Sequence, residues 1–425
     1  MNPLAESANP KGDFYEIGFW FKLKSARVNI ANVAKNEGWN QRLKTFHNAY
    51  FCIQKNIMKF THSLLFLFVL SFLTTSCVSV QVQETIKETS VPKKENRPKN
   101  IILLIGDGMG LSQVSTAIYY KDGKPNFERF STIGLSKTSS FSDLVTDSAA
   151  GATVFSAGVK TYNGAIGVDR DTIAVPTIVE QLSKDGFSTG IVATSSIQHA
   201  TPAAFYAHVK HRRLYEEISE FAPNSGVDFF AGGGLKFFND RKDKRNLLED
   251  MKAKGYTIFT DKLPQTNVAG KELILLAQDG MPKMSEGRGD FLPNATKLAL
   301  DKLSKNENGF FLMVEGSQID WGGHSNDAAY LIEELLDFDK TIGVALDFAK
   351  KNGETLVIVT ADHETGGFTL ATDGSNYNQI KPTFSTTGHS GTMVPVFAEG
   401  PGASLFNGIY ESNEIYFKLL EALGK

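Results

Sequence analysis

Short apolar runs that recur between helical patterns constrain the fold of this chain more than any other sequence feature. The first run, IILLI at residues 101–105, is continuously apolar, as in a strand that is buried on both faces of a sheet. Similar runs lie at residues 190–193, 229–231, 273–277, 310–314, 356–359 and 394–398. Helical patterns lie between several of them, at residues 175–184, 294–305 and 328–351. This order predicts an α/β fold with a central, mostly parallel sheet and helices on both faces.

The composition argues against nucleic-acid binding and against a cysteine-based site. Lys and Arg number 44 against 47 Asp and Glu, for a net charge of −3, and no basic stripe stands out. Cys52 and Cys77 are the only cysteines, and both precede the first predicted strand. Any metal in the folded part must therefore be held by carboxylates, imidazoles or hydroxyls. Because no internal repeat or second linker interrupts residues 99–425, we expect them to form one domain.

The first 98 residues have the pattern of a targeting segment. In residues 58–76 a methionine and a lysine precede an apolar run, residues 64–73, and small residues then lead to Cys77. This order is typical of a bacterial lipoprotein signal peptide, and a buried helix is the alternative. We expect residues 1–57 to be a mis-started or disordered extension, and residues 77–98 to be a tether. The protein would then be exported to the periplasm or cell surface and held on a membrane by a lipid at Cys77.

Acidic and histidine side chains follow the predicted strands at several places. In parallel sheets the carboxyl ends of the strands meet at one edge, so we expect these side chains to lie close together. Carboxylate and imidazole groups are typical zinc ligands, although each residue alone could instead cap a turn or be a structural histidine. The residues are Asp107, Glu315, Asp320, His324, Asp362, His363 and His389.

The stretch VTDSAAGATVFSAG, residues 145–158, predicts a helix that begins at Asp147 and Ser148. The small residues after Ser148 let a ligand or another backbone come close, and the free N–H groups of a helix start attract anions. Ser148 is therefore a candidate for attack on an anionic substrate. The alternative is that Asp147 and Ser148 only cap the helix.

Six segments, in this order, resemble the alkaline phosphatase family over about residues 99–423. They are IGDGMG, VTDSAAGATVFSAGVKTYNGAIGVD, HATPAAFYAHV, VEGSQID, TADHETGG and GHSGTMVPVFAEGP. The resemblance implies a three-layer α/β sandwich that hydrolyses phosphate monoesters to an alcohol and inorganic phosphate. It also implies two zinc ions, a third ion that is usually magnesium, and a phosphoserine intermediate at Ser148.

The resemblance also assigns roles to individual residues. One zinc would be held by Asp320, His324 and His389, and the other by Asp107, Ser148, Asp362 and His363. Asp107 would bridge to the third ion, together with Thr201 and Glu315. Arg212 matches the family arginine that binds two phosphate oxygens.

Two positions differ from the best-studied bacterial pattern of that family. His199 stands near the third ion where that pattern has Asp, and an imidazole there makes zinc or cobalt an alternative to magnesium. Trp321 stands where that pattern has Lys, so we expect weaker phosphate binding and faster product release.

The sequence is also compatible with other functions. A phosphodiesterase, sulfatase or phosphonate hydrolase of the same superfamily would use similar ligands, and a non-catalytic phosphate- or metal-binding lipoprotein would use the same fold. The resemblance also leaves a homodimer open, but the short segment between His363 and His389 has little room for a large inserted lobe, so dimer contacts are not assumed.

Overall fold

A ten-stranded sheet forms the centre of the structure, a computed structural model that describes residues 97–425. Its strands are β1 (Asn100–Gly106), β2 (Thr132–Lys137), β3 (Ser188–Ser196), β4 (Phe229–Gly233), β5 (Tyr256–Phe259), β6 (Lys271–Leu275), β7 (Phe310–Gly316), β8 (Thr355–Thr360), β13 (Val394–Glu399) and β14 (Gly408–Glu411). All seven apolar runs predicted as strands lie in this sheet, and their predicted ends differ from the observed ends by at most three residues.

The strand order is β14-β2-β13-β8-β1-β7-β3-β4-β6-β5. β13 runs antiparallel to its neighbours β2 and β8, and all other neighbouring pairs of this sheet are parallel. The predicted mostly parallel sheet is therefore confirmed. The four adjacent strands β8, β1, β7 and β3 place their carboxyl ends side by side.

Helices cover both faces of the sheet, as predicted. They are α1 (Leu111–Tyr120), α2 (Ser148–Ala157), α3 (Ile178–Lys184), α4 (Ala200–Ala203), α5 (Tyr215–Phe221), α6 (Lys236–Asn239), α7 (Leu247–Ala253), α8 (Phe291–Leu303), α9 (Gln318–His324), α10 (Ala328–Asn352) and α11 (Glu414–Leu423). Short 3₁₀ helices lie at Asn126–Arg129, Ala222–Asn224, Met284–Glu286 and Ala403–Phe406.

Each face of the sheet has its own hydrophobic core. Ile101 and Leu103 of β1 belong to one core, with buried residues of α2, α3, α5, α7 and α11. Ile102 and Leu104 point to the other core, with residues of α1, α8, α9 and α10. Successive side chains of a strand point to opposite faces, which explains why a doubly covered strand must be apolar throughout.

The segment between His363 and His389 forms two small additional sheets. β9 (Glu364–Thr365) pairs with β12 (His389–Ser390), and β10 (Thr369–Asp373) pairs with β11 (Asn376–Thr383). The second pair is a largely exposed hairpin, and it fits the expectation that this segment holds no large lobe. The first pair has a direct consequence for the site, because it ties His389 to the residues that follow β8.

The expected extension at residues 1–57, the signal peptide at 58–76, the lipid site at Cys77 and nearly all of the tether at 77–98 lie outside the described residues. The described part falls within one compact unit. Among residues 97–425, no helix combines the length and the apolar character that crossing a bilayer requires.

Candidate active site

The carboxyl ends of adjacent strands bring the predicted polar residues to one edge of the sheet. Asp107 directly follows β1, Glu315 is the penultimate residue of β7, and Asp362 lies two residues beyond β8. β3 ends shortly before His199. Positive φ at Gly108 (+72°) turns the chain sharply after Asp107, which leaves its carboxylate free of the helix that follows.

The start of α2 faces this edge, and its first residue is Ser148. The carboxylate of Asp147 caps the helix, accepting a hydrogen bond from the Ala150 backbone N–H at 3.0 Å. A Cβ added at Gly151 would lie 2.9 Å from the Cβ of Asp362, so glycine permits the close approach of helix and strand end. The predicted helix start and the need for small residues are both seen in the structure.

Asp320, His324 and His389 form the first group of ligand atoms, at the mouth of the site. The Nε2 atoms of the two histidines are 3.1 Å apart, and that of His324 is 3.4 Å from Asp320 Oδ1. Each Nδ1 lies within hydrogen-bond distance of a backbone carbonyl, that of Thr387 for His324 and that of Thr146 for His389. A carbonyl can only accept, so each Nδ1 carries a proton and the two Nε2 atoms converge beside a carboxylate. Three ligand atoms that converge in this way suit a cation between them.

Asp107, Asp362 and His363 form a second group, which is fully buried. His363 Nε2 is 3.4 Å from Asp107, 3.3 Å from Asp362 and 3.2 Å from Ser148 Oγ. Thr365 Oγ1 donates to Asp320 at 2.5 Å and lies 3.2 Å from His363 Nδ1, from which it accepts. The proton of His363 is therefore on Nδ1, and its Nε2 lone pair faces two carboxylates and the serine.

Asp107, His199 and Glu315 form a third group, with Asp107 common to the second and third. Ser195 and Ser317 donate hydrogen bonds to Glu315 Oε2 at 3.1 Å and 2.6 Å, while its other oxygen has no partner. Burial, with the charge of Arg212, lowers the pKa of His199 to about 3. The imidazole is therefore neutral and can act as a ligand.

Several buried polar atoms at this edge have no hydrogen-bond partner among the described residues. Such atoms are costly to bury, and their clustering fits a cation better than water. They are Asp107 Oδ1 and Oδ2, His199 Nδ1, Thr201 Oγ1, Glu315 Oε1 and Asp362 Oδ2.

The electrostatics of the buried carboxylates support the same conclusion. Burial, followed by repulsion from Asp362, Asp320 and Glu315, raises the pKa of Asp107 well above its ordinary value. Burial raises the pKa of Glu315 to about 7, and it also raises that of Asp362. Carboxyl groups gathered in this way are stabilised as anions by a multivalent cation.

Arg212 supplies positive charge next to the serine. Its Nη1 donates to Asp147 Oδ2 at 3.1 Å, and its Nη2 is 3.5 Å from His199 Nε2. Although burial opposes ionisation of Asp147, the charge of Arg212 and backbone N–H groups keep the pKa of this carboxyl below its ordinary value. The guanidinium is thereby held in place at the wall of the cavity that Ser148 also lines, where it can bind an anion.

A cavity of about 560 Å³ opens over Ser148. Asp320, His324, His389 and Arg212 line it, as does Trp321, which lies edge-on to His199 at 5.7 Å between ring centroids. The site thus combines a buried serine, three candidate cation positions and an arginine, which is the equipment for transfer of a phosphoryl group.

Comparison with known proteins agrees with this geometry. A family model described as alkaline phosphatase matches residues 98–383. Alkaline phosphatase 3 of Bacillus subtilis is 41% identical over 334 residues, which cover 74% of this chain and 72% of that protein. The chain belongs to the alkaline phosphatase family. It is therefore an enzyme that depends on metal ions and hydrolyses phosphate monoesters.

Other relatives support the same membership. The alkaline phosphatase of Escherichia coli is 34% identical over 405 residues, which cover 77% of this chain and 86% of that protein. The solved structure of the alkaline phosphatase from the Antarctic bacterium TAB5 is 55% identical, with a TM-score of 0.76, and covers 77% of this chain and 98% of that one. The expected three-layer sandwich of this family is confirmed.

The structure brings every predicted site residue of this family member to one edge of the sheet. The first group holds the residues expected around one zinc, and the second holds those expected around the other, with Ser148 beside His363. The third group holds Asp107 and Glu315 with His199, and Thr201 has an unpartnered buried hydroxyl.

Sequence reasoning did not identify the residues that orient these ligands. Thr365 connects Asp320 to His363. The one signal in the sequence that could have identified it is its position two residues after His363 in the TADHETGG segment. Glu364 was also missed: its carboxylate accepts hydrogen bonds from Gln113 and Ser390 and so ties the His389 loop to α1. The carbonyls of Thr146 and Thr387 left no signal in the sequence at all.

Proposed function

We propose that this enzyme transfers the phosphoryl group of a monoester to Ser148 and then to water. Ser148 Oγ gives up its proton and attacks phosphorus, the bond to the alcohol oxygen breaks, that oxygen takes up a proton, and a phosphoserine forms. Water then attacks the phosphoserine, releases inorganic phosphate and restores the hydroxyl. The observation that carries this proposal is the buried Ser148 oxygen, 3.2 Å from His363 Nε2 in a group of buried carboxylates.

The three groups of ligand atoms support two zinc ions and a third ion. Asp320, His324 and His389 would hold one zinc, and Asp107, Asp362, His363 and Ser148 the other, because imidazoles and carboxylates are its usual ligands. Zinc bound there would act as a Lewis acid that favours the serine alkoxide and stabilises negative charge on the leaving oxygen.

The third ion would be held by Asp107, Thr201 and Glu315, with His199 beside them. We propose magnesium at this position, with zinc or cobalt as the alternative that the imidazole of His199 favours. A variant of the TAB5 enzyme with aspartate in place of one histidine carries Mg in a site named M3. That relative supports a magnesium site in this family.

Arg212 and Trp321 act on the substrate side of the site. The guanidinium would donate hydrogen bonds to two oxygens of the transferred group, and Asp147 keeps it oriented by accepting from Nη1. Trp321 gives this side of the cavity a neutral wall, so phosphate binds with one positive charge fewer than a lysine would provide.

The proposed location of the enzyme follows from its first 98 residues. Residues 58–76 would act as a lipoprotein signal, Cys77 would carry the lipid, and residues 77–98 would connect it to the catalytic domain at 99–425. Mass spectrometry of the native protein tests this: the expected N-terminal peptide begins at a lipidated Cys77, and a peptide from residues 1–57 would contradict it.

Substrate comparison tests the proposed activity. The purified enzyme is treated with a chelator, zinc is restored with magnesium or cobalt, and hydrolysis of para-nitrophenyl phosphate is compared with that of the bis-ester and the sulfate. We expect fast, alkaline-favoured turnover of the monoester that returns with zinc and one further ion. Preference for the bis-ester or the sulfate would indicate a sister enzyme of the superfamily, and no activity with any metal would indicate a binding protein.

A further inference from the structure

The cavity over Ser148 has more room than the reacting phosphoryl group needs. At about 560 Å³ it falls within the range of sites that enclose a whole small molecule, about 300–1,000 Å³. The proposed metal ligands and Arg212 account for only part of its lining. The remaining lining includes Tyr215 and Arg213, which the proposed mechanism does not use.

Tyr215 is held in place by aromatic packing. It is the first residue of α5, and its ring stacks on Phe237 of α6 with 4.9 Å between centroids and 20° between planes. The Lys236 ammonium lies 4.9 Å from the centroid of Phe237. Because Phe237 covers one face of Tyr215, the ring needs no reordering to receive a flat group from the cavity.

Tyr215 and Arg213 also line a second cavity of about 420 Å³ that includes Phe237. The two cavities therefore adjoin at the side chains of Tyr215 and Arg213. An alcohol bound with its phosphate at Ser148 would extend toward these two side chains, past the phenol ring of Tyr215.

Arg213 is exposed, and within residues 97–425 its guanidinium forms no hydrogen bond or ion pair. Its neighbour Arg212, by contrast, is bound to Asp147. A guanidinium plane stacks on aromatic rings as well as binding anions. Carboxylates of the second cavity, including Glu217, keep that cavity from being strongly cationic, which favours a neutral ring over a second anionic group.

We propose that Tyr215 and Arg213 form a subsite for the alcohol part of the substrate. The class of substrate that it selects is phosphate monoesters whose alcohol carries a planar aromatic ring, such as nucleoside monophosphates. The ring stacks on Tyr215, and Arg213 covers it or its edge. This assignment rests on the proposed phosphoryl transfer at Ser148, since it concerns the part of the substrate that leaves.

A matched pair of substrates tests the subsite: adenosine 5′-phosphate and ribose 5-phosphate. Both release the same kind of primary alcohol, so their intrinsic reactivity is similar, and only the first carries a ring. For the full-length enzyme with zinc and magnesium, we expect kcat/KM to favour the adenosine ester by about tenfold, within the range for base stacking on an aromatic side chain.

Variants assign that preference to the named residues. Tyr215→Leu should lower the ratio of the two kcat/KM values to nearly one without lowering kcat/KM for ribose 5-phosphate, and Arg213→Gln should lower the ratio in part. Tyr119→Leu, the same change at an exposed tyrosine on α1, should leave it unchanged.

The outcomes separate the subsite from the proposed function. Hydrolysis of both esters at similar rates, with a ratio that Tyr215→Leu does not change, would overturn the subsite and leave phosphoryl transfer intact. If neither ester were hydrolysed, the proposed function itself would be overturned. An equal loss on both esters in Tyr215→Leu would show that the residue supports the fold rather than the substrate, and it too would overturn the subsite.

Discussion

At the scale of single residues, the site depends on which atom of each histidine carries the proton. His324 and His389 are oriented by backbone carbonyls, and His363 by the hydroxyl of Thr365. In each case Nδ1 is occupied and Nε2 is free to bind a cation. Residues that never touch the substrate therefore decide whether the ligand atoms converge.

Thr365→Val should weaken metal binding by about 10- to 100-fold, because it removes the hydroxyl between Asp320 and His363 while keeping the shape of the side chain. Competition with a chromogenic chelator measures zinc affinity directly. Thr365→Ser restores the hydroxyl and should restore the affinity. Equal zinc affinity in the valine variant and the native enzyme would show that Thr365 does not orient the ligands.

Trp321→Lys should lower the inhibition constant for inorganic phosphate by about tenfold, because it adds a positive charge to the cavity wall. Steady-state inhibition of para-nitrophenyl phosphate hydrolysis gives this constant. Phe417→Lys, at an exposed position on α11, adds the same charge outside the cavity and should have little effect. If the two variants changed the constant equally, Trp321 would not face the phosphate.

At the scale of elements, the sequence predicted the central strands well and the edges poorly. Residues 101–105 are apolar throughout because helices cover both faces of β1, and this pattern is hard to mistake. β2 alternates buried and exposed residues, β14 has only 4 residues, and the β10–β11 hairpin is mostly polar. Their pairing depends on neighbours that are distant in sequence, so local patterns did not reveal them.

The difference between local and long-range contacts also explains which parts of the site the sequence predicted. Ligands that directly follow strands, such as Asp107 and Asp362, could be placed together because parallel strands share one end. The contact of His389 with the Thr146 carbonyl joins residues 243 positions apart. No local pattern encodes such a contact, so the orienting groups emerged only from the structure.

Arg288→Met should destabilise the protein by about 3–5 kcal/mol, because it leaves Glu334 and Asp337 of α10 as buried carboxylates without a counter-charge. These ion pairs connect the loop before α8, which contains Arg288, to α10. Urea denaturation gives the free energy of unfolding.

Lys340→Met is the matched control, since Lys340 and Asp290 form an ion pair with both side chains about half exposed. It should cost less than about 1 kcal/mol. A similar loss in both variants would mean that the buried position of Arg288 has no special importance.

At the scale of the whole molecule, the metal groups make stability depend on pH and on metal content together. Burial raises the pKa of Glu315 to about 7, from an ordinary value of 4.5. In the metal-free protein, Glu315 therefore binds a proton more readily in the folded state than in the unfolded state. Its contribution to stability is present below pH 4.5 and is lost as the pH rises through about 7.

Glu315→Gln should thus stabilise the metal-free protein relative to the native sequence as the pH rises from about 4.5 to 7, by about 2–4 kcal/mol. Burial lowers the pKa of His199 and His363, so these residues make stability rise with pH in the native protein and in the variant alike. The difference in stability between the two proteins therefore isolates the effect of Glu315. Urea denaturation with and without a chelator measures it.

With metals restored, Glu315→Gln should instead be less stable than the native protein, because the cation stabilises the carboxylate and the amide loses that interaction. Glu333→Gln, at an exposed position of α10, should show no such dependence on pH or metal. If restoring the metals did not reverse the stability difference between Glu315→Gln and the native protein, the proposed cation at the third group would be contradicted.

The proposed mechanism depends on Ser148, which would carry the phosphoryl group between the ester and water. The most direct measurement is acid quenching of the enzyme during turnover of para-nitrophenyl phosphate, followed by mass spectrometry of the peptide that contains Ser148. We expect phosphate on Ser148, and both the phosphate and most of the turnover should be lost in Ser148→Ala. Asp143→Ala, at an exposed residue outside the site, should change little. Full turnover by Ser148→Ala, or equal losses in the two variants, would contradict the proposed mechanism.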